Sequence, residues 1–382
     1  MSQQRISLSI STLLLAAACV LAAVLLWQLR GLIVVLMVSV VLAASLAPMV
    51  GVVSRWGIPR LLAVILVYLL LVVAIVGVGA IFGPTIFDQI EGLIRTLPGY
   101  LDKLSAIAQD ISQRVGVFDS PEETAVLDSL SQLFDTQAIG GWIVSSSQQL
   151  IVRSYGLTRG IIGDIVGGAF GILLSVIISG YILADSPNLS LGITSIFPSP
   201  WDDRLLGQIP VVGQRMGGYI QGRVLVSAIL GLVISVSLGI LGLGEFALGL
   251  GAIAGITNLI PFFGPVLGSI PALIVAVAQG GWTFLWVLLL FVIIQNLETY
   301  VLDPLLVGSS VRVQPLYQLL AVLGGTQVLG ILGALIVPPW VAGASALLET
   351  LYLQPKAEQK ERARQSAALA TATVESDPPL PV

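Results

Sequence analysis

Apolar residues fall in long unbroken blocks, with polar, glycine or proline breaks between them. The blocks lie at 9–29, 31–47, 61–82, 161–184, 219–243, 245–279, 282–302 and 316–351. A bilayer core of about 30 Å takes about 20 helical residues to cross. Lipid offers the backbone no hydrogen bonds, so only helices and closed barrels span it. Barrel strands alternate in hydrophobicity and these blocks do not, so they predict about eight transmembrane helices. Arg30-Gly31 predicts a tight hairpin, Pro48 an end to the second span, and Gly83-Pro84 an end to the third. Pro338-Pro339 interrupts the last span.

The pattern changes over residues 84–160, where charges return and apolar positions become periodic. Ile86, Ile90, Leu93, Ile94, Leu97, Leu101, Leu104, Ile107, Ile111 and Val115 follow i, i+3, i+4 spacing. That spacing predicts an amphipathic helix or helix pair outside the membrane, bent near Pro98-Gly99. Ser120-Pro121-Glu122-Glu123 has the makings of a second helix start. The chain then divides into spans 1–3 (1–83), the extramembrane amphipathic region (84–160), spans 4–8 (161–353), and a polar, disordered tail (354–382).

The block at 245–279 is irregular. Its halves, 247–257 and 266–278, are each too short to cross. Asn258-Leu259-Ile260-Pro261-Phe262-Phe263-Gly264-Pro265 between them must break a helix. Either one span is broken in its middle or a re-entrant hairpin forms. Two other blocks carry small residues at every fourth position: Gly163, Gly167, Gly171, Ser175 and Ser179 in one, Ser227, Gly231, Ser235 and Gly239 in the other. Helices in lipid associate through such close-approach faces.

Composition sharpens the picture. Apolar residues make up 56% and charged residues 10% of the 382, against about 25% charged in soluble domains. No histidine is present, and Cys19 is the one cysteine. His-based proton relays, Ser-His triads, disulfides within the chain and ordinary zinc sites are thereby excluded. There is no phosphate-binding lysine loop, no pair of aspartates inside spans, and no basic patch interleaved with aromatics. Enzymatic activity, a metal centre, a cofactor and nucleic-acid binding are not expected. Arg5 before an apolar run ending at Cys19 faintly resembles a lipoprotein signal, but the run continues to Trp27, so a retained span is expected. An even number of spans puts both termini on one side. Arg55, Arg60, Arg204, Arg215, Arg223 and the basic tail make that side cytoplasmic.

Two segments could carry chemistry. In the broken segment, freed backbone groups and the amide of Asn258 could line a translocation path, with Pro261, Gly264 and Pro265 shaping it; the competing reading is a proline kink with no ligand. At the end of span 7, Gln295, Asn296 and Glu298 follow an apolar run. A carboxylate at depth costs about 2.5–3.5 kcal/mol on insertion scales and usually faces a cavity. Alternatively Glu298 sits at the interface, solvated like Asp303. Arg223 reads as snorkelling to the cytoplasmic surface. Gln327 could pack against the broken segment, and Glu245 sits solvated in a short turn.

Gly218-Tyr219-Ile220-Gln221-Gly222, the run Gly255 to Pro265, Gln295 to Pro304, Gly308 with Pro315-Leu316, and Gly324-Gly325 with Gly330-Ile331-Leu332-Gly333 resemble the autoinducer-2 exporter family of permeases. The resemblance implies eight spans, cytoplasmic termini, an extramembrane segment between spans 3 and 4, oligomers, and secondary transport or passive permeation without ATP. It implies the bacterial inner membrane as the location. Members are described both as exporters of the autoinducer-2 signal and as sodium or lithium/proton antiporters. Two departures stand out. Here the order is Gln221-Gly222-Arg223, and Gln314 precedes Pro315 where the family often has histidine, so coupling, if it exists, would fall to Glu298 or another carboxylate. Three functions follow: export of a small polar solute coupled to a proton or sodium gradient, sodium(lithium)/proton antiport, and a membrane scaffold without transport.

Overall fold

The structure, a computed structural model, describes residues 27–115, 161–308 and 314–356, with scattered positions from 14 to 25 and 359 to 365. The first expected span, Cys19, the helix start at 120–123, residues 309–313 and the end of the tail fall wholly or largely outside these. Among the described residues every regular element is helical, and the chain is an all-α integral membrane protein. Five helical stretches are long and apolar enough to cross a bilayer, six if a bent pair counts as one.

Helix α1 (Arg30–Ser54) does not begin at a hairpin. The Leu29 N–H donates to the Leu25 carbonyl and the Ile33 N–H to the Leu29 carbonyl, so helical bonding runs through Arg30-Gly31. Arg30 stacks over the Trp27 ring, 5.0 Å from its centroid, which a helical i, i+3 spacing allows. Nor does Pro48 stop the helix. A proline lacks the N–H that would bond the carbonyl four residues back, here that of Ala44. Gly217 packs against the Ala44 carbonyl, and the Gln221 amide donates to the neighbouring Ser45 carbonyl. The helix carrying Gly217 and Gln221 thus packs its backbone closely against α1 at the proline and donates one bond to the carbonyl beside the freed one.

Helix α2 (Arg60–Val115) passes through Gly83-Pro84 and Pro98 without a break. Its 56 residues extend about 84 Å at 1.5 Å per residue, far more than a bilayer core. The apolar first half is exposed on most sides, as a lipid-facing helix should be. Further along, the amphipathic face turns inward: Ile86, Gln89, Ile90, Leu93 and Leu97 are the less exposed positions, and Leu93 joins the main core cluster.

Helix α3 (Ile161–Ala184) ends in a bend of 87° into the short α4 (Ser186–Thr194). Arg60 closes this bend: its Nε donates to the Leu183 carbonyl at 2.8 Å and its Nη2 to Ser186 Oγ at 2.5 Å. Helix α5 (Trp201–Leu238) is the central post. It packs against α1, α4, α6 (Ala247–Thr257), the stretch Glu298–Gly308 and α9 (Pro315–Leu348). The chain reverses at Gly242, whose φ of 94° suits glycine.

Helices α6 and α7 (Phe263–Gln279) are the two halves of 245–279. They fold back on each other, since a Cβ on Gly268 would touch Ala254 and Thr257. A helical hairpin forms, not a straight span with a kink. Gln89 of α2 reaches its base, where its Oε1 accepts the Gly249 N–H at 2.7 Å. Helix α8 (Thr283–Leu297) widens into a π-helical turn over Glu298–Gly308. Helix α9 is also folded, but at Gly330 (φ 65°, ψ −149°), with Gly325 against the Gly333 carbonyl. The interruption expected at Pro338-Pro339 is absent. That backbone conformation is open essentially to glycine alone, whereas a proline pair only removes donors.

Candidate transport site

The hairpin turn is built by residues that tolerate close approach. A Cβ on Gly264 would collide with the Thr257 carbonyl and the Asn258 Cα. Pro261 is buried beneath the turn, and Phe262 holds φ at 66°, an outlier for a bulky residue. Asn258, at the C-terminal cap of α6, is carried inward to 2% exposure, facing α5.

Glycines bring the backbones together around it. Gly231 of α5 lies against Gly251 and Gly255 of α6, where a Cβ would sit 3.1 Å from the Gly251 carbonyl oxygen. Gly222 abuts the Leu306 carbonyl, which draws the π-helical stretch against α5. Of the small-residue stripes, Gly231 is such a contact. Gly239 and Gly171 meet only one side-chain atom each, at 3.9 and 3.8 Å. Gly163 and Gly167 lie in α3, with surroundings outside the described residues.

At the centre sits Arg223, 2% exposed. It does not snorkel. One turn of a central helix pointing into protein offers no route to the surface, and the guanidinium finds acids inside instead. Nη1 pairs with Glu298 Oε1 at 2.9 Å and Asp303 Oδ1 at 3.3 Å. Nη2 donates to Asn258 Oδ1 at 3.4 Å. Glu298 is buried with it, 3% exposed, rather than solvated at the interface, while the Asp303 side chain keeps 39% of its surface open. The cluster therefore holds one positive and two negative formal charges. Arg223 Nε, Asn258 Nδ2 and Ser227 Oγ are buried without a hydrogen-bond partner among the described residues, so polar capacity remains for an ion, water or solute.

A cavity of about 280 Å³ opens beside Glu298. Asn258 and Pro265 line it from the hairpin, and Gln295, Asn296 and Glu298 from α8 and its extension; Leu230 and Ile234 of α5 close the back. Pro261 and Gly264 shape the turn but do not line the cavity. Gln327 and Glu245 are exposed and line neither this cavity nor the larger one beside α1. Arg223 and Asp303 are the members that sequence reasoning missed. One signal pointed to them: a carboxylate buried in an apolar helix needs a cation, and α5 carries Arg223 within its own apolar stretch.

A polytopic helical protein with a broken hairpin, a buried charge cluster and a polar cavity at that hairpin is built as a membrane transporter or permease. Residues 13–353 match the AI-2E family transporter family, and the chain belongs to it. It is similar to YueF of Bacillus subtilis (strain 168), with 28% identity over 81% of this chain and 82% of that protein. YrrI of the same organism is 26% identical over 83% and 85%. The AI-2 transport protein TqsA of Escherichia coli (strain K12) is 26% identical over 80% and 82%.

Proposed function

We propose that the protein is a secondary transporter that exports a small polar solute, autoinducer-2 or a related metabolite, coupled to a proton or sodium gradient. It would act in the bacterial inner membrane as a homo-oligomer with both termini in the cytoplasm. The observation that carries this reading is the Arg223–Glu298–Asp303–Asn258 cluster at the wall of the cavity. Gln295, Asn296 and Asn258 offer amides to a solute with hydroxyls. Glu298, held by Arg223, can change partners when a cation arrives, which links the charge state of the cluster to the packing of α5 against the hairpin. TqsA, described as an AI-2 transport protein, supports the solute class.

The test is flux of autoinducer-2 into or out of liposomes holding the purified protein, under imposed proton and sodium gradients. Flux should follow one gradient, and Glu298→Gln should abolish that dependence while the protein stays folded. Gradient dependence unchanged in Glu298→Gln removes Glu298 from the mechanism. Sodium(lithium)/proton antiport is the second reading, favoured by the excess of one carboxylate over the guanidinium. A pH-sensitive dye in everted vesicles, followed on sodium addition without solute, separates the two.

A further inference from the structure

A second cavity, of about 720 Å³, lies between α1, α4 and α5 and shares no residue with the Arg223 cluster. Its volume falls in the range of about 300–1,000 Å³ typical of pockets for sizeable ligands. The walls are apolar: Ala43 and Ala47 of α1, Ile193 of α4, Ile209, Val212 and Met216 of α5. The hydroxyls of Ser190 and Thr194 are turned back onto carbonyls of their own helix. One charged residue, Arg60, lines the cavity. Its Nε and Nη2 close the α3–α4 bend, and no carboxylate pairs with it among the described residues. Asp185, next to the bend, accepts the Asn188 amide. An exposed guanidinium with donors to spare therefore stands over an oily chamber.

Its depth in the membrane follows from the bend. If α3 crosses the bilayer, α4, at 87° to it, lies along the membrane surface. Leu191, Ile196, Phe197 and Trp201 are exposed on and just after it, and Trp56 in the turn before Arg60. Aromatic and apolar residues of this kind mark the level of lipid headgroups. Basic pockets between helices at that level suit anionic headgroups. We infer that this cavity is a binding site for an anionic phospholipid, its phosphate on Arg60 and an acyl chain between α1 and α5. Burial from water gives no gain here, because lipid tails are as apolar as the walls. Affinity comes from the charge-assisted bonds of guanidinium to phosphate and from dispersion contacts of the acyl chain with the apolar walls.

Native mass spectrometry of the full-length protein, titrated with phosphatidylglycerol or phosphatidylethanolamine of matched chains, tests this. Phosphatidylglycerol adducts should dominate. Arg60→Gln should weaken them about tenfold, as expected for losing a hydrogen bond to a charged group, and Arg60→Lys should restore part. Gly213 lines the cavity, and a Cβ there meets nothing within 4 Å. Gly213→Phe should fill the chamber and reduce binding of both lipids. Unchanged adducts in both Arg60→Gln and Gly213→Phe would overturn the site. A photoactivatable phosphatidylglycerol needs no variant: label on 43–47 or 209–216 of the wild type supports the proposal. Label elsewhere, or cross-linking of this face to a second copy of the chain, refutes it.

Discussion

Arg223 shows how one residue can organise a membrane core. Removing an ion from water costs several kcal/mol even after relaxation, and attraction repays it only where partners are well placed. Here Glu298 and Arg223 are each nearly sealed from solvent, so removing either costs stability by weakening the other's pairing. Arg223→Gln should cost about 3–5 kcal/mol, the usual penalty for stranding a buried charge. Arg223→Gln with Glu298→Gln should cost less than the sum of the two single changes, because the double variant strands no charge at that pair. Denaturant unfolding in detergent micelles, run as a double-mutant cycle, measures the coupling; simple additivity would mean Asp303 carries the pairing alone. At this scale the sequence was half legible. Glu298 stood out because a carboxylate after an apolar run has to be explained. Arg223 did not, because an arginine near a helix end has an ordinary surface explanation, and its partners Asn258 and Asp303 lie 35 and 80 residues away.

Among the elements, punctuation by proline and by glycine proved to differ in kind. Pro48, Pro84 and Pro98 sit inside continuous helices, and Pro338-Pro339 inside the unbroken half of α9 that follows Gly330. Each removes one donor and leaves the helix to continue, and at Pro48 helix α5 packs closely at Ala44 and donates to the Ser45 carbonyl. Gly242 and Gly330 turn the chain because their dihedrals are closed to other residues. Sequence patterns locate both kinds of residue but do not reveal which carbonyls a neighbouring helix will serve. The small-residue stripe of α5 has the same two-sided character. Gly231→Ala would drive a Cβ into the α6 backbone and should cost about 1–3 kcal/mol, the range for overpacking. Gly239→Ala, with one contact at 3.9 Å, should stay within about 0.5 kcal/mol of wild type. Thermal unfolding of the two variants side by side is the check, and equal losses would show that the stripe acts as a whole.

For the whole molecule, the question is how the long helix α2 belongs to the transporter. Periodicity over 86–115 marked an amphipathic helix or helix pair, and over 86–97, where side chains are described, that face does turn inward. The expected end at Gly83-Pro84 hid the consequence: the helix that starts in the membrane continues as one rod and lays this face against the hairpin. Gln89 caps the start of α6, and Leu93 packs in the cluster that contains Phe246, Leu250 and Val275. Removing residues from 86 onward would therefore strip a wall from the core rather than trim an appendage. Leu93→Ala should cost about 2–5 kcal/mol, as for other buried leucines. Ile94→Ala, one position round the helix and 50% exposed, should change stability by no more than about 0.5 kcal/mol. If both variants unfold like wild type, the arm is peripheral and the hairpin stands without it. If Leu93→Ala alone is weakened, the arm and hairpin form one cooperative unit, and any movement of the hairpin during transport must be accommodated along α2.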